Sequence, residues 1–275
     1  MREALTANAK RLDNRKDRPV ATGESASTGN KPDFLVFSSD LGTLATLGVL
    51  FGERAAVHPA SSQVTAISLL AAIAPALTII DLANGALAGL SVLQIVSARH
   101  ARSPTIVIAP EELWLSGFAT SGYHGLRVVL SLPLKLEDLL KAIGATGVLT
   151  SLALTPSVLA AVDFIRSEYA RSFRSRELVR EAGISFSHLA HLFRGELGLS
   201  SREYLTKIRV HVARHLLKES AFKLGHIAEL TGFSDASHLS RAFSSEFGQR
   251  PGQYRLTQLP SAVAPMRQKD SSTAA

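Results

Sequence analysis

Residues 237–243 read SHLSRAF, and residues 187–193 read SHLAHLF. One phrase written twice in one chain marks a duplicated unit, and the extent of the match decides how the second half folds. Ser187, His188, Leu189, Phe193, Glu196, Gly198 and Tyr204 match Ser237, His238, Leu239, Phe243, Glu246, Gly248 and Tyr254. Just upstream, AGI at 182–184 matches TGF at 231–233. Each copy reads as a short helix, a turn carrying a glycine, and a second helix, which is the helix-turn-helix layout. Gly183 and Gly232 suit a turn residue with positive φ.

In the second copy Leu239, Phe243 and Phe247 recur at i, i+4 and i+8 and should pack inward. Ala236, Ser237, Ser240, Arg241 and Ser244 are left outward; in the first copy the outward set is Ser187, Ala190, His191 and Arg194. Small side chains let a helix lie deep in a major groove, and an Arg can donate two hydrogen bonds to a guanine edge. A solvated face on a purely structural duplication would have the same composition, so the pattern alone leaves both readings open.

From residue 158 to 258 the apolar period is 3.6 throughout, and that half is expected to be all-helical. Residues 33–143 instead alternate strand-like runs (DFLVF, ALTIID, TIVIA, LRVVLSL) with helix-like stretches such as LATLGVLF, VTAISLLAAI and LEDLLKAI. That alternation implies parallel strands with helices on both faces, an α/β doubly wound sheet. Residues 146–157 read as a linker between a 32–145 domain and a 158–258 domain with two helix-turn-helix motifs. The stretches 1–31 and 259–275 read as disordered tails.

The chain carries a net charge of +7, unevenly spread: 7 basic and 4 acidic residues in 1–31, 6 and 8 in 32–145, 15 and 10 in 158–258. The helical half therefore seeks an anion, and the acidic middle should be repelled by phosphates. There are no cysteines, which excludes disulfides and thiolate metal sites and fits a reducing, cytoplasmic setting. Residues 55–80 lack Asp, Glu, Lys and Arg, but Pro75, the polar run HPASSQ and Asp81 argue for a helix then a buried strand rather than a membrane span. His211 and His215 have the i, i+4 spacing of metal ligands on a helix, yet no Glu sits between them and the chain has no cysteine, so no metal site is expected. No G-x-S-x-G, phosphate loop or H-E-x-x-H occurs, and neither an enzyme activity nor a cofactor is expected.

Residues 158–256 resemble the DNA-binding domain of the AraC family of transcription regulators. IAELTGFSDASHLSRAFSSEFGQRPGQYR is similar to that family's second helix-turn-helix, and YLTKIRVHVARHLL to the long helix joining the two copies. The resemblance implies double-stranded DNA as partner, with two recognition helices in successive major grooves about 34 Å apart. Its base-reading positions fall on Ser187, Ala190 and His191, with Arg194 beside them, and on Ala236, Ser237, Ser240 and Arg241. Two positions depart from the pattern: His191 stands where an Arg is common, and Val179 stands where the second copy has Ala228.

ALTIIDLANGALAGLSVLQIV resembles the phosphoacceptor strand of CheY-like receiver domains, with Asp81 at the accepting position; SPTIVIA and LSLPLKLEDLLKAI resemble the last strands and helix. Receivers hold Mg²⁺ with acids after the first strand, where this chain has Ser38 and Ser39, followed by Asp40. The family's switch hydroxyl falls on Ala109 and its lysine on Leu132, while Pro133, which follows a cis bond in the family, is kept. The resemblance thus implies a pseudo-receiver that supports homodimerisation or partner control, with RNA polymerase a further partner. A response regulator phosphorylated on Asp81, or an adaptor that binds DNA weakly, are the alternatives.

Overall fold

The computed structural model describes residues 31–83, 85–111, 113, 123–150 and 152–258; the two tails, apart from Lys31, lie outside them. The first half runs β1 (Asp33–Phe37), α1 (Leu41–Phe51), β2 (Ala56–Ala60), α2 (Gln63–Ala72), β3 (Leu77–Asp81), α3 (Ala86–Arg99), β4 (Thr105–Ala109), β5 (Leu126–Ser131) and α4 (Leu136–Ala145). All five strands pair in parallel in the order β2-β1-β3-β4-β5. This is the strand order of one common doubly wound sheet, whose switch point lies between β1 and β3.

Four of these strands are legible as apolar runs, whereas β2 is AVHPA and hides inside a polar stretch. Its place at the sheet edge explains why it tolerates Pro59, since an outer edge needs no N–H donor. Successive side chains divide between the two faces of the sheet. Phe34, Val36, Leu77, Ile79, Ile106 and Ile108 join the core of α1 and α4. Leu35, Phe37, Ile80, Val107 and Ala109 join Ala66 and Leu70 of α2 and Val92, Leu93 and Val96 of α3.

The second half is helical: α5 (Pro156–Glu168), α6 (Ser175–Ala182), α7 (Phe186–Leu197), α8 (Ser201–Glu219), α9 (Leu224–Leu230), α10 (Ala236–Phe247) and α11 (Pro251–Gln258). The duplication holds at the level of whole elements. Helix α7 spans 186–197 and α10 spans 236–247, while α8 and α11 open at 201 and 251.

Helix α1 joins the halves. LGTLATLGVLF has no charged residue, and it is buried along nearly its whole length. A helix apolar all round must be covered all round. The sheet covers one side of α1, and α5 and α8 cover the other. Gly42 and Gly48 let the helices close in. A Cβ on Gly42 would sit 2.1 Å from the Arg166 carbonyl oxygen of α5, and one on Gly48 would sit 3.1 Å from His211 Nδ1 of α8.

Polar contacts reinforce the seam. Arg166 Nη1 donates to Asp40 Oδ2 at 2.9 Å and to Thr43 Oγ1 at 3.1 Å, while its Nε meets Asp163 Oδ1 at 2.7 Å. The connecting stretch is tied at both ends, by Arg54 Nη2 to the Thr150 carbonyl (2.7 Å) and by the Thr155 N–H to Glu196 Oε2 (2.8 Å). One hydrophobic cluster consequently runs from Phe34 in the sheet through α5 to Leu178, Leu189, Phe193 and Tyr204.

Candidate nucleic-acid interface

Both glycine turns adopt the left-handed conformation, Gly183 with φ 68° and Gly232 with φ 74°. The second is also a close approach: a Cβ on Gly232 would lie 2.7 Å from the Ala170 carbonyl oxygen and 2.8 Å from Arg209 Nη2. Arg209 itself reaches from α8 to the carbonyls of Tyr169 (2.8 Å) and Arg171 (3.0 Å). A single guanidinium thus braces the second turn against the end of α5. Arg209 carries no signal in the repeat, because the first copy has no counterpart that needs it.

The second helix of each copy is capped at the matching position. Ser185 accepts from the His188 N–H at 3.4 Å, and Asp235 accepts from the His238 N–H at 2.7 Å. That backbone donor, with Ser234 beside it, holds the Asp235 carboxyl below the usual range. The same aromatic wedge then sets the exit angle of both helices. Phe193 meets Tyr204 at 5.9 Å between ring centres, and Phe243 meets Tyr254 at 5.6 Å, both edge to face.

With Leu189, Phe193, Leu239 and Phe243 turned inward, the remaining faces of α7 and α10 look outward. Ser187, His191 and Arg194 are exposed and Ala190 is half-buried; Ser237 and Arg241 are exposed, with Ala236 and Ser240 half-buried. The eight residues therefore form two strips, one per copy, on helices of identical length. Exposed Arg174, Arg176, Arg180, Arg202, Lys223 and Arg250 add positive charge on neighbouring turns. Val179 stays half-exposed where Ala228 is buried, so the first helix pair meets over a larger side chain.

Behind the strips, Lys207 Nζ on α8 bonds Glu246 Oε1 on α10 at 2.7 Å, and His211 Nε2 lies 3.5 Å from the same oxygen. His211 and Lys207 together hold the Glu246 carboxyl down at about 2. Burial pushes the imidazoles of His211 and His215 below their ordinary value. His211 also stacks near Phe247 (5.3 Å), so both histidines serve packing. Among the described residues no group of three His, Cys, Asp or Glu is placed to hold a metal ion.

Asp81 closes β3 and is nearly buried. Ser38 Oγ donates to its Oδ2 at 2.7 Å, and the Ala83 N–H donates to its Oδ1 at 2.8 Å. Asp40 faces away from it, capping α1 through the Gly42 N–H (3.0 Å) and pairing with Arg166. Ala109 is fully buried at the end of β4, and the Leu132–Pro133 bond is cis. Among the described residues no helix is long and apolar enough to cross a membrane.

Residues 178–257 match a family described as "Helix-turn-helix domain". A putative AraC-like transcription regulator of Streptomyces antibioticus is 36% identical over 115 residues, which is 42% of this chain and 38% of the relative. The Msm operon regulatory protein of Streptococcus mutans is 32% identical over 91 residues, a third of each chain. A solved structure, the C-terminal domain of AraT, a response regulator from Geobacillus stearothermophilus, is 28% identical with a TM-score of 0.38; it covers 42% of this chain and 96% of that one. The chain spans only about a third of the length of the curated relatives it matches. With its paired left-handed turns, matched caps and matched aromatic wedges, the region 178–257 is a helix-turn-helix domain similar in sequence to those of AraC-like transcription regulators.

Proposed function

We propose that this chain is a non-catalytic, sequence-specific transcription regulator. Helices α7 and α10 enter successive major grooves of double-stranded DNA, and Ser187, Ala190, His191, Arg194, Ala236, Ser237, Ser240 and Arg241 face the bases. The observation that carries this reading is the pair of equivalent outward strips, made of small residues with His191 at the centre of one and Arg241 at the matching position of the other, Arg194 lying a turn beyond His191. A helix bearing bulky side chains could not seat as deeply. RNA polymerase is a further partner of such a regulator, and its setting is cytoplasmic.

The sheet half we read as a receiver-like scaffold that works without phosphorylation and supports self-association. The strand order and the acid at the end of the central strand favour the scaffold. The surroundings of that acid disfavour the chemistry. Phosphoryl transfer to a carboxylate needs neighbouring acids to hold a divalent cation. Asp81 has Ser38 beside it, and Asp40 is committed to Arg166. The residues present do not fit a bound magnesium ion.

Footprinting on random-sequence DNA, with selection of bound fragments, tests the first reading. A protected region covering two adjacent grooves with a defined sequence is expected, and its affinity should fall steeply with salt as counterions are released. Binding without sequence preference would overturn it. Exposure to acetyl phosphate and Mg²⁺ tests the second, where a mass gain lost in Asp81→Asn would overturn it.

A further inference from the structure

A cavity of about 710 Å³ lies where the sheet half meets the helical half. Its walls are the end of α1, the start of β2, Leu152 of the connecting stretch, the end of α7, one face of α8 and the end of α10. That volume is within the range of sites that enclose small organic molecules. Leu50, Val57, Leu152, Leu197 and Leu199 make much of the wall apolar.

The polar chemistry gathers on α8. Lys207, His211 and Arg214 stand at i, i+4 and i+7, so they share one helical face, and all three line the cavity. One carboxylate, Glu246 at the end of α10, stands among them. Lys207 Nζ bonds it at 2.7 Å, and His211 Nε2 lies 3.5 Å away. Arg214 is left over. It is half-buried, its guanidinium stacks on the Phe247 ring at 4.8 Å, and among the described residues it makes no hydrogen bond or ion pair. A cation partly withdrawn from water without an acceptor is costly, and an anion that enters the cavity would relieve that cost.

We propose that this cavity binds a small monocarboxylic acid, whose carboxylate takes the free fork of Arg214 and whose apolar body lies against Leu50, Val57, Leu152 and Leu199. The planar guanidinium matches a carboxylate through two parallel hydrogen bonds. Charge selects the head group. Burial keeps His211 below its ordinary pKa and so neutral, and Lys207 and Arg214 against Glu246 then leave one positive charge. A monoanion cancels it, and a phosphate dianion would overshoot. The other charges on the wall are spent or lie at the rim. Arg54 donates to the Thr150 carbonyl, Glu196 accepts from the Thr155 N–H, and Glu53 is exposed. An occupant touches both halves at once, so it should also stabilise the fold.

Isothermal titration and thermal melting of the full chain, without DNA, test this. The probes are benzoate, phenylacetate and hexanoate, each beside its neutral amide, with phenyl phosphate as the dianion. At least one acid should bind at one site per chain and raise the melting temperature, and its amide should bind at least about ten-fold more weakly, the equivalent of about 1.4 kcal/mol. Arg214→Gln should weaken the acid by a similar factor. Leu152→Trp fills the cavity from the connecting stretch and leaves Arg214 in place, so it too should weaken binding while the free protein stays folded. Arg99→Gln, on an exposed side chain of α3 across the sheet, should change nothing. Binding by none of the acids, acid and amide binding alike, phenyl phosphate binding tighter than every acid, or equal losses from Arg99→Gln and Arg214→Gln overturns the proposal. Footprinting is a separate measurement: a chain that binds an acid and protects no defined DNA sinks only the DNA reading, and the converse sinks only this site.

Discussion

The two helix-turn-helix copies are alike in outline and unlike in what holds them. In the first, Leu178, Ala182, Leu189 and Phe193 belong to the same apolar cluster as the sheet strands and α1. In the second, Ile227, Ala228, Phe233, Leu239 and Phe243 form a separate cluster with Val210, Ala213 and Leu217 of α8, and Tyr254 of α11 packs against it. A duplicated motif has thus been given two foundations. The first reader is continuous with the sheet half, and the second hangs on one side of a single helix, braced by Arg209 and the Lys207–Glu246 pair. Any change in the sheet half therefore reaches the first reader through the shared apolar cluster, and the second through α8 and the close approach of Gly232 to the Ala170 carbonyl past the end of α5.

The largest expected effect comes from removing the matching phenylalanines, both fully buried. Phe193→Ala and Phe243→Ala should each cost about 3–5 kcal/mol. Hydrogen exchange should separate them: the first variant should lower protection in the β-strands as well as α6–α8, the second only in α9–α11. Equal loss in the strands from both would break the distinction. Next, Gly42→Val drives a branched side chain into the Arg166 carbonyl and should cost about 1–3 kcal/mol as overpacking. Its denaturation should split into two transitions, sheet and helical half, where the parent shows one.

On DNA, Arg241→Ala should cost about 1–3 kcal/mol at the selected sequence while sparing random DNA. His191→Ala should cost less, about 1 kcal/mol or below, because a single imidazole donor replaces a bidentate fork. Equal losses on random DNA would make both residues phosphate contacts. The smallest effect is on pH. His211 and His215 have folded pKa values below the unfolded value, so their contribution is present above pH ~6.5 and is lost as the pH falls through that value. Glu246, also lowered, contributes above its unfolded value of 4.5 and loses that contribution as the pH drops toward about 2. Urea midpoints should therefore decline below neutrality, and His211→Gln should flatten the upper part of that decline.

The repeat made the helical half legible because its signals are local: glycine at the turn, apolar residues at one helical face, a cap three residues before a backbone donor. Four strands were legible for the same reason, and β2 was not, since Pro59 and His58 mask a five-residue edge strand. The seam between the halves was written in the sequence but in a form that names no partner. LGTLATLGVLF announces a helix covered on every side, yet nothing local says that α8 does the covering. The Asp40–Arg166 pair joins residues 126 positions apart and leaves no periodic trace. The outward residues of α7 and α10 could be located from spacing; which bases they meet depends on the DNA and not on the fold.

The near-contact of Gly42 with the Arg166 carbonyl has a practical consequence for protein engineering. Regulators of this layout invite recombination, in which one reading head is grafted onto another sensor. Here a cut in the connecting stretch would strand α1 with one side bare and leave α5 and α8 without their cover. A working hybrid would have to transplant α1 together with the reading head, or repaint its outer side with polar residues.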